Sequence, residues 1–260
     1  MTTLYYKYGR RFVSLLLILS VSSLGLFFHM NKAMLKTEWI NYTRDMGLVL
    51  ENVAITGHHK TTRSQIQSVL DIDQGMPLVS MDLGAIRKRI EELPWVEQVA
   101  LKRRYPNTLD IQIQERIPMA LWQSEGVVSL VDEAGFILTR KNLESYTDLL
   151  LIVGENAHRN IAEISKIIES QAHLSSFVRS AVHVGNRRWD IHFMNGMRLR
   201  LPETTDQQEA LSAMAHFAEL QKSYDVLSRE ISVIDLRSDK VILKLTPKGK
   251  RMMRRENIYS

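Results

Sequence analysis

Residues 12–31, FVSLLLILSVSSLGLFFHMN, form twenty consecutive positions without a formally charged side chain. At about 1.5 Å per residue a helix of that length reaches roughly 30 Å, the thickness of a bilayer's hydrocarbon core. Such a helix satisfies its own backbone polar groups in lipid, so the run is expected to be a single N-terminal transmembrane helix. Lys7, Arg10 and Arg11 precede it without an acid, and Lys32, Lys36, Glu38, Arg44 and Asp45 follow it with a weaker positive balance. The positive-inside bias then predicts a cytoplasmic tail over 1–11 and a body on the far side of the membrane. The competing reading is a cleaved secretory signal with Val21-Ser22-Ser23 as its small-residue site. Leu24, Leu26, Phe27 and Phe28 prolong the apolar run past that site and favour a retained anchor. Ser14, Ser20, Ser22, Ser23 and Gly25 are small enough to permit helix contact within it.

The polar remainder is long enough for one large domain or two small ones. It contains no cysteine, so no disulfide holds it. The formal net charge of +5 sits at the ends of the chain. Residues 1–11 carry three positive charges and residues 247–260 a net four, which leaves the stretch between them slightly acidic. That distribution argues against nucleic-acid binding, where basic charge lies on the folded face. The C-terminal KGKRMMRR run reads as a solvated basic tail over 247–260; attraction to acidic lipid or an acidic polymer is the sharper alternative.

After a linker over 32–47, residues 48–118 read as a β-α-α-β-β unit. Leu48, Leu50, Val53 and Ile55 suggest a strand that ends at Gly57. Thr62 and Gln65 have the spacing of a capping box, and Ile66, Val69 and Leu70 supply one apolar stripe. Asp82 caps a second helix with the stripe Leu83, Ile86, Ile90 and Leu93, stopped by Pro94. Val99, Leu101 and Arg103, then Leu109, Ile111 and Ile113, alternate with polar residues as two strands joined by Tyr105-Pro106-Asn107-Thr108. Two helices on one face of a three-stranded sheet follow.

Residues 119–246 read as a mixed, mainly antiparallel β-domain with packing helices, so the fold class is α+β. Asp132-Glu133-Ala134-Gly135 turns between two apolar runs, and Asn195-Gly196 is the clearest short hairpin signal in the chain. Ile161, Ile164, Ile167 and Ile168 mark one helix; Leu211, Met214, Ala218 and Gln221 mark another. Ile231–Leu236 and Val241–Leu245 read as the last two strands, with Ser238-Asp239-Lys240 between them and Thr246-Pro247 as the end.

No constellation in the chain carries catalytic chemistry. There is no G-x-S-x-G elbow, phosphate-binding glycine loop or H-E-x-x-H, and thiol catalysis has no cysteine. No cofactor or metal is expected. His58-His59 lacks further ligands at metal spacing and reads as a turn. Glu91-Glu92 are adjacent on a helix and do not face each other. Trp95 and Trp189 read as core or interface aromatics, and Asn41-Tyr42-Thr43 matches a glycosylation sequon.

Three blocks carry a resemblance: Val53-Ala54-Ile55-Thr56-Gly57, Leu93-Pro94-Trp95-Val96-Glu97, and Arg103-Arg104-Tyr105-Pro106-Asn107-Thr108-Leu109. With Glu115-Arg116-Ile117-Pro118-Met119-Ala120, the VDEAGFIL segment, Arg187-Arg188-Trp189-Asp190, Leu201-Pro202-Glu203 and Asp235-Leu236-Arg237, the chain resembles the bacterial FtsQ/DivIB division family, in its alphaproteobacterial style. In that family a POTRA (polypeptide-transport-associated) domain precedes a β-domain. The resemblance implies a non-catalytic scaffold of the division machinery, anchored in the inner membrane at the septum with its body in the periplasm. It implies FtsB/DivIC and FtsL as partners, with further contacts among FtsA, FtsW, FtsI and FtsN. It implies that a partner strand adds to the sheet edge at Val241, Ile242, Leu243, Lys244 and Leu245, beside Arg237 and Ser238. Arg237 matches the family's partner-contacting Arg-aromatic pair, and Ser238 departs from it. The lysine in an otherwise apolar last strand is itself a usual edge-protection device. The runner-up is a POTRA-containing secretion or outer-membrane-assembly component. Those proteins carry several POTRA repeats or a C-terminal β-barrel, and residues 119–246 lack the strand series a barrel requires. A membrane-anchored cell-wall enzyme, the third reading, lacks a nucleophile or metal candidate.

Overall fold

The computed structural model describes residues 20, 22, 23, 26, 29–203, 207–238 and 240–259. Most of the 12–31 run, the 1–11 tail and Asp239 therefore lie outside the described residues. Among the described residues no helix is long and apolar enough to cross a membrane. The chain divides into two compact units, Met1–Glu115 and Arg116–Ser260.

In the first unit, α1 (Lys32–Asp45) occupies the stretch expected to be a linker. It is followed by β1 (Asn52–Thr56), α2 (Arg63–Leu70), α3 (Leu83–Glu91), β2 (Val96–Arg104) and β3 (Thr108–Glu115). The sheet order is β1-β3-β2, with β1 parallel and β2 antiparallel to the central strand. Both helix starts form as their sequences dictate. The Thr62 hydroxyl accepts from the Gln65 N–H, and the Gln65 side chain accepts from the Thr62 N–H at 2.8 Å. Asp82 Oδ1 accepts from the Gly84 and Ala85 N–H groups at 2.9 and 3.1 Å. Ile66, Leu70, Ile86 and Ile90 bury their stripes against Leu109, Ile111 and Ile113. Gly57 is required where it stands: a Cβ there would lie 2.1 Å from the Ile113 carbonyl oxygen. The Tyr105–Pro106 peptide bond is cis.

The second unit is one nine-stranded sheet. Its strands in chain order are β4 (Pro118–Ser124), β5 (Val127–Asp132), β6 (Ile137–Thr139), β7 (Leu150–Val153), β8 (Val178–Val184), β9 (Arg188–Phe193), β10 (Arg198–Glu203), β11 (Ile231–Asp235) and β12 (Ile242–Leu245). Across the sheet they run β12-β11-β10-β9-β8-β7-β4-β5-β6. Pairings β4–β7, β7–β8 and β10–β11 are parallel and the others antiparallel. Asp132 closes the expected turn through its side chain, accepting from the Phe136 N–H at 2.7 Å and from Arg116 at 2.8 Å.

Three helices join this sheet: α4 (Ile161–Glu169), the short α5 (Ala172–Ser175) and α6 (Gln207–Tyr224). Alternation along β9 sends Trp189, Ile191 and Phe193 into the core with the α4 isoleucines and with Ala210, Met214 and Phe217 of α6. Phe193 and Phe217 stack at 5.1 Å, and the buried Trp189 donates its indole N–H to Glu163 Oε2 at 3.0 Å. Arg188, Asp190 and His192 alternate with those core positions and take the other face of the sheet. The chain ends in α7 (Pro247–Tyr259), a helix where a solvated tail was expected.

Candidate partner-binding edge

The sheet ends at β12, whose one strand neighbour among the described residues is β11. Asp235 stands opposite Ile242, Ile234 opposite Leu243, Val233 opposite Lys244 and Ile231 opposite Leu245. The register slips between Ile231 and Val233, and the Ser232 hydroxyl caps the slip by donating to the Lys244 carbonyl at 3.0 Å. Ile234 is fully buried while Leu243 across from it is 52 % exposed, so the hydrophobic layer runs out along this strand. Val241, Ile242 and Lys244 are exposed as well, and Leu245 is half-buried. The opposite end of the sheet is blunted differently: β6 has three residues, and its central Leu138 is buried.

Period-two alternation puts Asp235 and Arg237 on the same side of the chain at the entrance to β12. Arg237 donates through Nε to Asp235 Oδ1 at 2.8 Å and through Nη2 to Oδ2 at 2.7 Å. Its side chain keeps 42 % of its surface exposed, whereas the Asp235 carboxylate keeps 8 %. These Arg237 bonds hold the Asp235 carboxyl below the usual carboxylate range, ahead of the opposing cost of its burial. Asp235 also accepts from Arg200 at 3.4 Å; Arg200 lies 3.8 Å from Asp190, and Arg188 donates to Asp190 at 3.4 Å. Five alternating charges thus cross β9, β10 and β11 and end at the guanidinium beside the edge strand. The Ser238 hydroxyl turns back to the Lys240 carbonyl at 3.3 Å and supplies no aromatic surface.

Two open cavities flank β12. One of about 670 Å³ is bordered by Glu209, Ser212, His216, Leu236, Arg237 and Val241. The other, about 640 Å³, is lined mainly by apolar side chains, among them Tyr224, Ile231, Leu243, Leu245 and Met252. The structure therefore brings all seven expected edge residues to one end of the sheet. Two features escaped the sequence reading. Asp235 is the support of Arg237, and the two-residue spacing of opposite charges at a strand's end is the signal for it. The helix α7 begins with Thr246 as its cap, the hydroxyl accepting from the Gly249 N–H at 3.1 Å, and Pro247 in the first position. Thr-Pro ahead of a proline-free run is a start signal as much as a stop signal. His58 and His59 lie in no metal-ligand group; none is found among the described residues.

A β-α-α-β-β unit followed by a helix-backed sheet has the layout of a POTRA domain with a β-domain after it. Residues 48–116 match the POTRA domain, FtsQ-type, and residues 120–237 match the family of the cell division protein FtsQ/DivIB, C-terminal. The chain is 32 % identical over 204 residues to the cell division protein FtsQ of Zymomonas mobilis, an alignment covering 78 % of this chain and 64 % of that protein. It is 33 % identical over 208 residues to the FtsQ of Rickettsia conorii, covering 79 % of this chain and 75 % of that protein. Against the FtsQ of Bartonella bacilliformis the identity is 30 % over 236 residues, 90 % of this chain and 73 % of that one. The chain belongs to the FtsQ/DivIB family of cell division proteins. The C-terminal match stops at Arg237, so β12 and α7 lie beyond it.

Proposed function

We propose that this protein is a non-catalytic, single-pass scaffold of the division machinery, anchored in the inner membrane over 12–31 with both described units in the periplasm. It links early and late division proteins by accepting a partner strand on β12. The observation that carries this is the outer side of Ile242–Leu245, which no strand pairs among the described residues, at the end of a sheet whose last strand leaves Leu243 exposed. A row of free N–H and C=O groups is a template for another chain. Main-chain bonds supply the affinity; alternate side chains, with Arg237 at the entrance, supply selectivity. Family membership makes FtsB/DivIC, with FtsL, the partner expected there. FtsA, FtsW, FtsI and FtsN are candidates for other surfaces.

Leu243→Pro tests this. It removes a backbone N–H from a strand that gives only the half-buried Leu245 to the core of the unit. FtsB binding is expected to fall by more than tenfold while the thermal midpoint shifts by only a few degrees. Parallel loss of folding and binding shows that β12 is structural only.

A further inference from the structure

The basic C-terminal segment is built onto the end of β12. Glu230 accepts from the Lys248 ammonium at 2.6 Å and from the Thr246 hydroxyl at 2.7 Å. Gly249 seats the first turn of α7 against the same residue: a Cβ there would lie 2.7 Å from the Glu230 carbonyl oxygen. Met252, one turn on, lines the apolar cavity with Leu243 and Leu245. At about 100° per residue, Lys250, Arg251 and Arg254 fall within one arc of the helix, and Gly249 and Met252 lie on the opposite side. All three cations are exposed, and none has an acidic partner among the described residues. A helix pinned on one side thus carries on the other a cationic ridge without an ion pair among the described residues, beginning five residues after the edge strand.

We infer that α7 is a docking element for an acidic segment that directly flanks the partner strand on β12. This rests on the strand-addition reading and adds to it the chemistry of the partner: an extended strand with a cluster of carboxylates at the end lying beside Leu245. Lys250 to Arg254 covers a rise of about 6 Å, so the acidic cluster lies within the first few residues beyond the paired strand. A peptide is favoured over an anionic lipid because the helix that carries the ridge follows directly on a strand whose main-chain groups only a polypeptide can pair. The paired strand then delivers its flanking carboxylates to the ridge at high effective concentration. Complementary charge of this kind selects among partners and speeds encounter, and its effect weakens with salt.

The test uses the full chain in cells, with a photoreactive phenylalanine analogue placed at Leu243 or at Met253, and with Lys250→Glu, Arg251→Glu and Arg254→Glu combined. Both positions are expected to capture one partner chain, the peptide captured from Met253 bearing the carboxylate cluster. Capture from Leu243 is expected to fall about tenfold in the triple variant at unchanged melting temperature, and to return when the captured carboxylates are changed to lysine. Unchanged capture from Leu243 in the triple variant overturns the role of α7 and leaves strand addition standing. No capture from Leu243 in the unaltered chain overturns strand addition itself. Capture of lipid alone from Met253 overturns the inference.

Discussion

The Asp235 carboxylate grips the Arg237 guanidinium through two bonds, from Nε at 2.8 Å and from Nη2 at 2.7 Å, so the cation beside the edge strand is held in one orientation. A guanidinium fixed in this way loses less freedom on meeting a carboxylate than a free one does.

Asp235→Asn keeps the shape and removes the charge. It releases Arg237 and weakens the hold on Arg200, whose remaining acid, Asp190, is 3.8 Å away. A stability loss of about 1–2 kcal/mol is expected by urea denaturation, because the lost hydrogen bonds are charged and end on a buried carboxylate, while the Arg237 end is open to solvent. Partner capture at Leu243 should fall with it. Arg237→Ala, at a more exposed position, should reduce capture comparably with a smaller change in stability. Full capture in both variants would remove Arg237 from the interface.

Gly249→Ala tests the seating of α7. The added methyl meets backbone, which has little room to yield, so the first helical turn must lift from Glu230. The expected readout is faster tryptic cleavage at Lys250 and Arg251, with the melting temperature of the sheet within about 2 °C of the unaltered protein. Equal cleavage rates would mean that the helix is held elsewhere.

Local chemistry made much of this fold legible. Thr62 with Gln65, Asp82, and Asn195-Gly196 announce themselves because each satisfies its backbone within a few residues. The alternation of Leu109, Ile111 and Ile113 with polar residues separates the core face from the exposed face without any knowledge of neighbours. What escaped is non-local or ambiguous. The parallel pairing of β10 with β11 joins strands separated by the whole of α6, and no short-range signal fixes it. Thr246-Pro247 marks a strand end and a helix start in the same two residues, and only the proximity of Glu230 shows which follows. The edge residues themselves were legible through family resemblance; their exposure and the grip on Arg237 are properties of the sheet.

One buried and two half-buried imidazoles should give the second unit a pH dependence. His183 is 6 % exposed, stacks on Trp189 at 4.4 Å and has no hydrogen-bond partner for Nδ1. Burial pushes its pKa down, and the nearby Glu163 only partly offsets that. Burial lowers those of His158 and His192 too. With folded values below unfolded ones, the unfolded chain binds more protons near the ordinary histidine range. Stability is then fully present above about pH 6.5 and declines as the pH falls below it. Thermal midpoints between pH 5 and 7.5 should show this slope, and His183→Gln should flatten it. A midpoint that rises on acidification would contradict the assignment.

Lys244 is the one charged side chain in β12, and an edge strand is a liability unless something discourages the wrong pairing. Its neighbours Ile242 and Leu243 are 50 % and 52 % exposed, so without the ammonium four consecutive apolar residues would face solvent at the end of a sheet. Lys244 lies opposite Val233 on the face that carries Asp235, away from the cavity lined by Leu243 and Leu245. Replacing it with valine therefore leaves the core intact and raises β-propensity at that position. The expected result for Lys244→Val is concentration-dependent self-association at an unchanged or slightly higher melting temperature, read by light scattering or sedimentation. Capture of the authentic partner should fall as copies of the chain compete for the same edge. A variant that stays monomeric across the concentration range would show that the edge is protected by the twist and shortness of β12, and that its lysine serves the partner instead.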